Sequence, residues 1–183
     1  MKVWMVHGAF NLDDGKKAWD SVRPYLKEGG ATPANFSYGW VGPLTTRRKS
    51  REAAKKLVDR VQPEDGVLGF SNGGLVIAYA MEEGLQARNI SLIQPALEPG
   101  FEFPQKKGVT VYYNPRDFVV SLSVGAFWHE WGRMGRIGPE DPGVRGVDTS
   151  RDGAIPATGH FGWRKGRPGQ YWSARIAREV ITW

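Results

Sequence analysis

The sequence contains no cysteine, only three histidines and no long run of apolar residues. The absence of cysteine excludes disulfide bonds, thiol catalysis and cysteine-ligated metal, although it does not identify the compartment. No apolar segment is long enough to span a bilayer. Met1 and Lys2 lead directly into a strand-like segment, so no export signal is visible and we expect a cytoplasmic protein. The scarcity of histidine leaves few candidates for a catalytic base.

The composition is that of an ordinary globular domain. The chain has 183 residues, of which 40% are apolar and 24% are charged. This length is sufficient for a substantial core, and we expect a single domain over residues 1–183. The net charge of +6 is compatible with a polyanion partner or an anionic surface, but it more often reflects a well-solvated exterior.

Short apolar runs alternate with amphipathic stretches of helical length. This alternation predicts an α/β fold, a three-layer sandwich with a mostly parallel central sheet and helices on both faces. Pro24 lies inside the first helical pattern and should kink or split it. The predicted strands cover residues 3–6, 35–38, 67–70, 90–93, 109–113 and a short 144–147. The predicted helices cover residues 18–26, capped by Asp13 or Asp14, then 45–61, 74–83, a segment through Phe127 to Trp131, and 171–181.

The predicted helix over residues 45–61 carries the densest basic cluster in the chain. A nucleic-acid-binding stripe is one interpretation of this cluster. A solvated outer helix face is favoured, because no aromatic residues interleave with the charges as base stacking would require. We therefore do not expect a nucleic-acid partner. The basic residues are Arg47, Arg48, Lys49, Arg51, Lys55, Lys56 and Arg60.

A serine lies between glycines where the central strand should turn into a helix. The segment Gly69-Phe70-Ser71-Asn72-Gly73 matches the Gly-x-Ser-x-Gly pattern of a strained strand-to-helix turn. Such a turn exposes the serine hydroxyl, and the backbone N–H of Asn72 would point to where an oxyanion forms. The alternative is a plain glycine-rich turn. The flanking strand and helix patterns favour a nucleophilic role for Ser71.

A serine hydroxyl needs a base, and histidine is the usual one. His7 ends the first predicted strand, where a structural role beside the nucleophile is favoured. His129 is flanked by bulky aromatics and is better interpreted as a buried or rim histidine. His160 lies on a glycine-flanked loop before the last helix. Because such a loop can bring an imidazole over a strand end, we predict that His160 is the base.

The carboxylate that orients the base should follow another strand, because open parallel sheets place their sites at the carboxyl ends of strands. Asp117 follows the strand over 109–113 and is our first choice. A simple turn aspartate after Asn114-Pro115 is the alternative interpretation. Asp148 is the second choice because it could end a short extra strand. Asp141 and Asp152 are further alternatives in the same irregular region.

Four features taken in order resemble the α/β-hydrolase superfamily, and together they span residues 3 to about 161. The order Ser, Asp, His is the order of that family. The features are Val6-His7-Gly8-Ala9, Gly69-Phe70-Ser71-Asn72-Gly73-Gly74, Asp117 and Gly159-His160.

The resemblance implies a Ser-His-Asp triad. Ser71 would be the nucleophile, His160 the general base and later general acid, and Asp117 the residue that orients the imidazole. The oxyanion hole would combine the N–H of Asn72 with that of Ala9, with Phe10 as the next donor along the chain, since this sequence lacks the His-Gly-Gly-Gly form. The resemblance also implies that the reaction of this triad needs neither a metal nor an organic cofactor.

The chain is short for this family and resembles its small, cap-poor esterases and lipases. Only residues 118–138 are available as a partial cover. Aromatic residues near the predicted loops could line an acyl or aryl pocket, or they could plug the end of the core. These residues are Phe10, Trp40, Phe118, Trp128, Phe161 and Trp163.

The resemblance predicts hydrolysis of carboxylic esters through an acyl-enzyme, with a small-molecule, lipid or polymer ester as substrate. The same triad could serve thioester or amide hydrolysis or acyl transfer, because the nucleophile, base and oxyanion donors are shared. A non-catalytic binding module that uses the basic helix and exposed tryptophans is the alternative of a different class.

Overall fold

A computed structural model of the chain describes residues 1–9, 15–41, 45–119, 131–151, 157 and 159–182. Its centre is a six-stranded sheet with the strand order β2-β1-β3-β4-β5-β6. All neighbouring strands are parallel. The strands are β1 (Lys2–Val6), β2 (Thr32–Phe36), β3 (Gly66–Phe70), β4 (Asn89–Ile93), β5 (Val109–Tyr113) and β6 (Arg145–Asp148).

Five α-helices occur in the described part of the chain, with short 3₁₀ turns at Lys17–Trp19 and Gly162–Arg164. None of the helices in these ranges is long and apolar enough to cross a bilayer. The helices are α1 (Arg23–Glu28), α2 (Thr46–Val58), α3 (Asn72–Glu82), α4 (Met134–Ile137) and α5 (Gly166–Thr182).

The sheet has an apolar core on each face. Successive strand residues point to opposite faces, so Trp4 and Val6 join the core cluster that contains residues of α2 and α3. Val3 and Met5 join the other cluster, which contains residues of α1 and α5. Helices therefore cover both faces, and the predicted three-layer α/β sandwich is confirmed.

The strand predicted at residues 35–38 is instead β2, Thr32–Phe36. It lies at the edge of the sheet, where Pro33 is tolerated because one side of the strand needs no partner. Only Phe36 in this strand is buried, so its apolar alternation is weak. Tyr38 lies beyond the strand end, close to the candidate site.

The helix predicted over residues 18–26 is split, as Pro24 indicated. A 3₁₀ turn at Lys17–Trp19 precedes α1, and Pro24 lies in the first turn of α1, where its missing N–H is not needed. The last helix begins earlier than residue 171 because Pro168 also fits a first turn. The predicted cap at Asp13 or Asp14 lies outside the described residues. The helical segment predicted from Phe127 to Trp131 also lies outside them, except for Trp131, which is not helical.

Candidate active site

Ser71 occupies a strained turn between β3 and α3. Its φ of 54° and ψ of −120° are unusual for a residue with a side chain, and such strain persists only when neighbouring contacts hold it. The backbone N–H of Ser71 donates to Ile93 O at 3.0 Å, and its carbonyl accepts from the N–H groups of Gly74 at 2.9 Å and Ala96 at 3.1 Å. The turn is therefore anchored to the end of β4.

The glycines around Ser71 permit close approach of the loop after β1. A Cβ at Gly73 would lie 2.2 Å from Val6 O, and one at Gly8 would lie 3.2 Å from Ser71 Cβ. On the strand side, a Cβ at Gly69 would lie 2.4 Å from Ile77 Cδ1. Gly73 and Gly8 therefore let the backbone after β1 lie directly against the serine turn, while Gly69 leaves room for the Ile77 side chain of α3.

Asp117 and His160 form a buried pair. Nδ1 of His160 lies 2.6 Å from Oδ2 of Asp117, and the two side chains are 3% and 0% exposed. Oδ1 of Asp117 accepts from the N–H of Val119 at 3.1 Å. With Asp117 ionised, Nδ1 donates to the carboxylate, so Nε2 is the nitrogen that can accept a proton.

The imidazole of His160 lies beside the serine turn. Its ring centroid is 4.8 Å from that of Phe70, the residue before Ser71. Gly159 O accepts from Gln94 Nε2 at 2.9 Å, which fixes the loop at the end of β4. Within the described residues no hydrogen bond joins Ser71 Oγ to His160. Catalytic hydrogen bonds of this kind commonly tighten only when substrate binds.

Asn114 joins the segments that carry Asp117 and His160. Its buried Nδ2 donates to Thr149 Oγ1 at 3.0 Å and to Ala157 O at 3.1 Å. Its backbone carbonyl accepts from the N–H of Asp117 at 2.9 Å. One amide side chain thus positions the turn after β5 relative to the loop that precedes His160.

Asp148, the second choice for the triad acid, accepts hydrogen bonds within its own turn. Oδ1 of Asp148 accepts from the backbone N–H of Ser150 at 2.9 Å and from its hydroxyl at 2.7 Å. Asp141 lies elsewhere, where the Gly143 N–H and the Lys106 side chain lower its carboxyl pKa. Asp152 lies outside the described residues. The carboxylate placed against His160 is that of Asp117.

The side chain of Asn72 is buried behind the serine turn. Nδ2 donates to Tyr38 Oη at 3.1 Å and to Ser50 Oγ at 3.2 Å, while Oδ1 accepts from Trp131 Nε1 at 3.1 Å. These bonds use both amide protons. They fix the first residue of α3, whose backbone N–H is one of the two predicted oxyanion donors.

His7 and Tyr38 shape the loop that carries the other predicted donor, Ala9. Their rings stack with centroids 4.3 Å apart. Burial raises the pKa of Tyr38 well above its usual range, so its hydroxyl stays protonated and donates to His7 O at 2.7 Å. Ala9 is half-buried, and Phe10 lies outside the described residues. His7 therefore has structural contacts, as the sequence indicated.

Comparisons with known proteins give matches in structure alone. No protein-family model matches the chain, and no curated protein sequence does. The crystal structure of the pyrethroid hydrolase PytH matches 100% of this chain and 98% of its own, with a TM-score of 0.62 and 13% identity. The chain has the α/β-hydrolase fold.

Two further matches share this fold. A YdeN-like hydrolase from Pectobacterium atrosepticum has a TM-score of 0.52 and 16% identity, with 98% of this chain and 90% of that chain covered. A cutinase-like protein from Cryptococcus has a TM-score of 0.50 and 13% identity, with 99% and 89% covered. At these identities the likeness concerns the α/β-hydrolase fold and not the substrate.

The aromatic residues predicted near a pocket differ in how deeply they are buried. Trp163 is buried and belongs to the core cluster on the α5 face, which agrees with the alternative that it plugs the end of the core. Phe118 and Phe161 are 64% and 39% exposed, and Trp40 is 48% exposed. Phe10 and Trp128 lie outside the described residues. Trp40, Phe118 and Phe161 are thus exposed at the surface and do not line a closed cavity.

Sequence reasoning missed the amides that hold the segments of the candidate site together. Gln94 and Asn114 each follow a strand of the sheet and bond to the segment around His160. Asn114-Pro115 had been interpreted only as a turn signal. The available signal was position, because a polar residue directly after a buried parallel strand faces the edge where ligands bind.

Proposed function

We propose that this protein is a serine hydrolase that cleaves carboxylic esters through an acyl-enzyme. The observation that carries the proposal is the buried His160–Asp117 pair beside a serine held at positive φ. Burial removes water from the carboxylate, so its interaction with the imidazolium that forms during the reaction is strong. The fold supports the proposal by analogy only, since it hosts many functions.

In the proposed first half-reaction, Ser71 Oγ attacks the ester carbonyl and His160 Nε2 takes the hydroxyl proton. Asp117 holds the imidazole in the required tautomer and stabilises its cation. The tetrahedral oxyanion would accept hydrogen bonds from the N–H groups of Asn72 and Ala9, and such a donor typically contributes on the order of a hundredfold or more in rate.

The first half-reaction ends when the alcohol leaves with the proton returned by His160, and Ser71 keeps the acyl group. Water then attacks the acyl-enzyme while His160 again takes the proton, and the acid is released as Ser71 recovers its hydrogen. All proton transfers pass through His160 Nε2, so no other described side chain needs to titrate.

The substrate is proposed to be a small-molecule or lipid ester. PytH is described as a pyrethroid hydrolase and another match as cutinase-like, but at 13% identity they share only the fold with this chain, so the choice of ester rests on the residues around the candidate site. The exposed aromatics agree with this choice. The same triad would also accept activated thioesters, so both substrate types belong in the first activity screen.

The first experiment is labelling with a fluorophosphonate probe, followed by intact mass and peptide mapping. We expect one adduct on Ser71, which is lost in Ser71→Ala and kept in Ser150→Ala, because Ser150 only completes the Asp148 turn. The kcat for p-nitrophenyl acetate should fall by on the order of 10⁶ in Ser71→Ala, as far as the spontaneous hydrolysis of the ester allows it to be measured.

A folded wild-type protein that resists labelling, or a Ser71→Ala variant with unchanged turnover, would show that Ser71 is not an activated nucleophile. Circular dichroism would establish that the variant is folded. A folded protein whose Ser71 is not activated would favour a non-catalytic binding module on the α/β-hydrolase fold.

A further inference from the structure

The exposed apolar side chains of this protein are concentrated at one edge of the sheet. Among the described large hydrophobic residues that are exposed, all but Met1 lie at the carboxyl edge, where the candidate site is. The α4 segment belongs to this edge because Gly135 O accepts from Asn114 N at 2.9 Å. These residues, called the rim below, are Trp40, Phe118, Val119, Ile137 and Phe161.

Each aromatic side chain of the rim has a cation over its ring. Arginine and lysine are attracted to aromatic faces within about 6 Å, and here the cations stay close to the surface beside the rings. Lys49 is additionally fixed by a 2.8 Å bond to Trp40 O. The ring-to-cation distances are 6.0 Å for Trp40 with Lys49, 5.9 Å for Phe118 with Arg136, and 4.8 Å for Phe161 with Arg164.

The segments that carry the rim contain few acidic residues. Residues 37–51 around Trp40 and residues 153–178 around Phe161 have neither Asp nor Glu. Asp117, next to Phe118, is buried against His160. Two exposed acidic residues lie nearer the rest of the rim, Glu98 after β4 and Glu140 three residues after Ile137. The rim is thus both apolar and cationic.

We propose that the rim docks on the surface of an anionic phospholipid bilayer, with the candidate active site facing the lipid. Aromatic rings bind at the headgroup level, and basic residues beside them are attracted to anionic lipids. Phe161 links the two functions in space, since its ring lies 4.9 Å from that of His160. The inference goes beyond ester hydrolysis and does not require it.

A bilayer fits the rim better than a nucleic acid does. Val119 and Ile137 are 44% and 50% exposed. Aliphatic side chains neither pair with the phosphates of a nucleic acid nor stack on its bases. A lipid surface can receive aliphatic and aromatic groups together while its phosphates contact the cations. The mixed composition of the rim is therefore the property that selects the partner.

Flotation with vesicles tests the proposal in the Ser71→Ala background, where lipid cannot be consumed. Failure of the proposed catalysis would therefore leave the binding result interpretable. We expect binding to vesicles of phosphatidylcholine mixed with phosphatidylglycerol and little binding to phosphatidylcholine alone. Raised salt should release the protein, because exposed charges are screened.

Two charge-matched triple variants locate the binding surface. One removes rim cations and the other removes cations at the opposite edge of the sheet, so both change the net charge equally. Each rim cation should contribute roughly a fivefold factor, which predicts a loss on the order of a hundredfold for the rim variant and only a slight loss for the control. Lys165 is a further rim cation, since its Nζ lies 6.0 Å from the ring centroid of Phe161. The variants are Lys49→Gln/Arg164→Gln/Lys165→Gln and Lys2→Gln/Arg88→Gln/Lys107→Gln.

The aromatic rings provide an independent test. Replacing Trp40 and Phe161 by alanine should weaken partitioning by roughly tenfold for each ring that enters the lipid. Absence of binding to anionic vesicles at low salt, or equal losses in the two charge variants, would overturn the proposal. Tighter binding to heparin than to vesicles, unaffected by the aromatic changes, would instead indicate a soluble polyanion.

Discussion

One buried aspartate lies near the amino edge of the sheet, where the parallel strands begin, and another near the carboxyl edge, where they end. The two aspartates differ in the groups that contact their carboxylates. At the amino edge, Asp65 accepts from Lys2 N at 3.1 Å, from Trp4 Nε1 at 3.0 Å and from Gln62 N at 3.2 Å. At the carboxyl edge, Asp117 lies 2.6 Å from Nδ1 of His160. Both carboxylates are buried, so burial alone does not distinguish a reactive site from a structural one.

The difference lies in the chemistry of the donors. The peptide and indole N–H groups around Asp65 keep their protons at every pH at which the protein folds, so this carboxylate only ties β1 to the turn before β3. An imidazole can gain and lose a proton near neutral pH. Asp117 therefore faces the kind of group that the proposed general base catalysis requires.

Two glutamines, one near each of these edges, differ in whether their side-chain amides are fully hydrogen-bonded. Gln105, near the amino edge, bonds through both ends of its amide, with Oε1 accepting from Ala87 N at 3.2 Å and Nε2 donating to Ala87 O at 2.7 Å. Gln94, at the carboxyl edge, has a φ of 45°, and its buried Oε1 has no hydrogen-bond partner among the described residues. Strain and an unsatisfied oxygen thus occur beside the candidate site.

The largest expected difference between the edges is catalytic. Asp117→Asn should lower kcat for an activated ester by on the order of 10⁴, because the amide favours the wrong imidazole tautomer. Asp65→Asn should leave kcat within a few-fold of wild type. Steady-state kinetics on both proteins, with circular dichroism to establish folding, makes the comparison. Equal losses in the two variants would show that Asp117 acts through stability and not through His160.

The next difference concerns stability. Asp65→Asn places an amide against N–H donors and should lower the free energy of unfolding by about 2 kcal/mol. Urea unfolding followed by tryptophan fluorescence measures this change, with Ser150→Ala as a surface control. An unfolding free energy equal to that of wild type would contradict a structural role for Asp65.

The smallest expected effect separates the two glutamines. Gln94→Leu removes the donor to Gly159 O and should lower kcat roughly tenfold with little change in KM, since a misplaced base affects the transition state more than substrate binding. Gln105→Leu should reduce the melting temperature and leave kcat unchanged. If Gln94→Leu lowered only the melting temperature, Gln94 would not position His160.

Part of the site was predictable because its signal is local. The serine turn depends on glycines within two residues of Ser71, and the structure gives this residue positive φ between β3 and α3. Other parts depend on residues far apart in the chain. Asp117 follows β5 and Asp148 ends β6, and only the packing of the segment before His160 decides which one the imidazole meets.

The α/β class, the alternation of strands and helices, and the strained serine turn could be predicted from the residues. These features follow from periodicity and glycine sterics, which act over a few residues. The tertiary structure alone decided that β2 begins at Thr32, that Trp163 joins the core, and that Gln94 and Asn114 hold the loop of His160. The physical reason is that a hydrogen bond between distant segments depends on where the sheet and its loops place both partners.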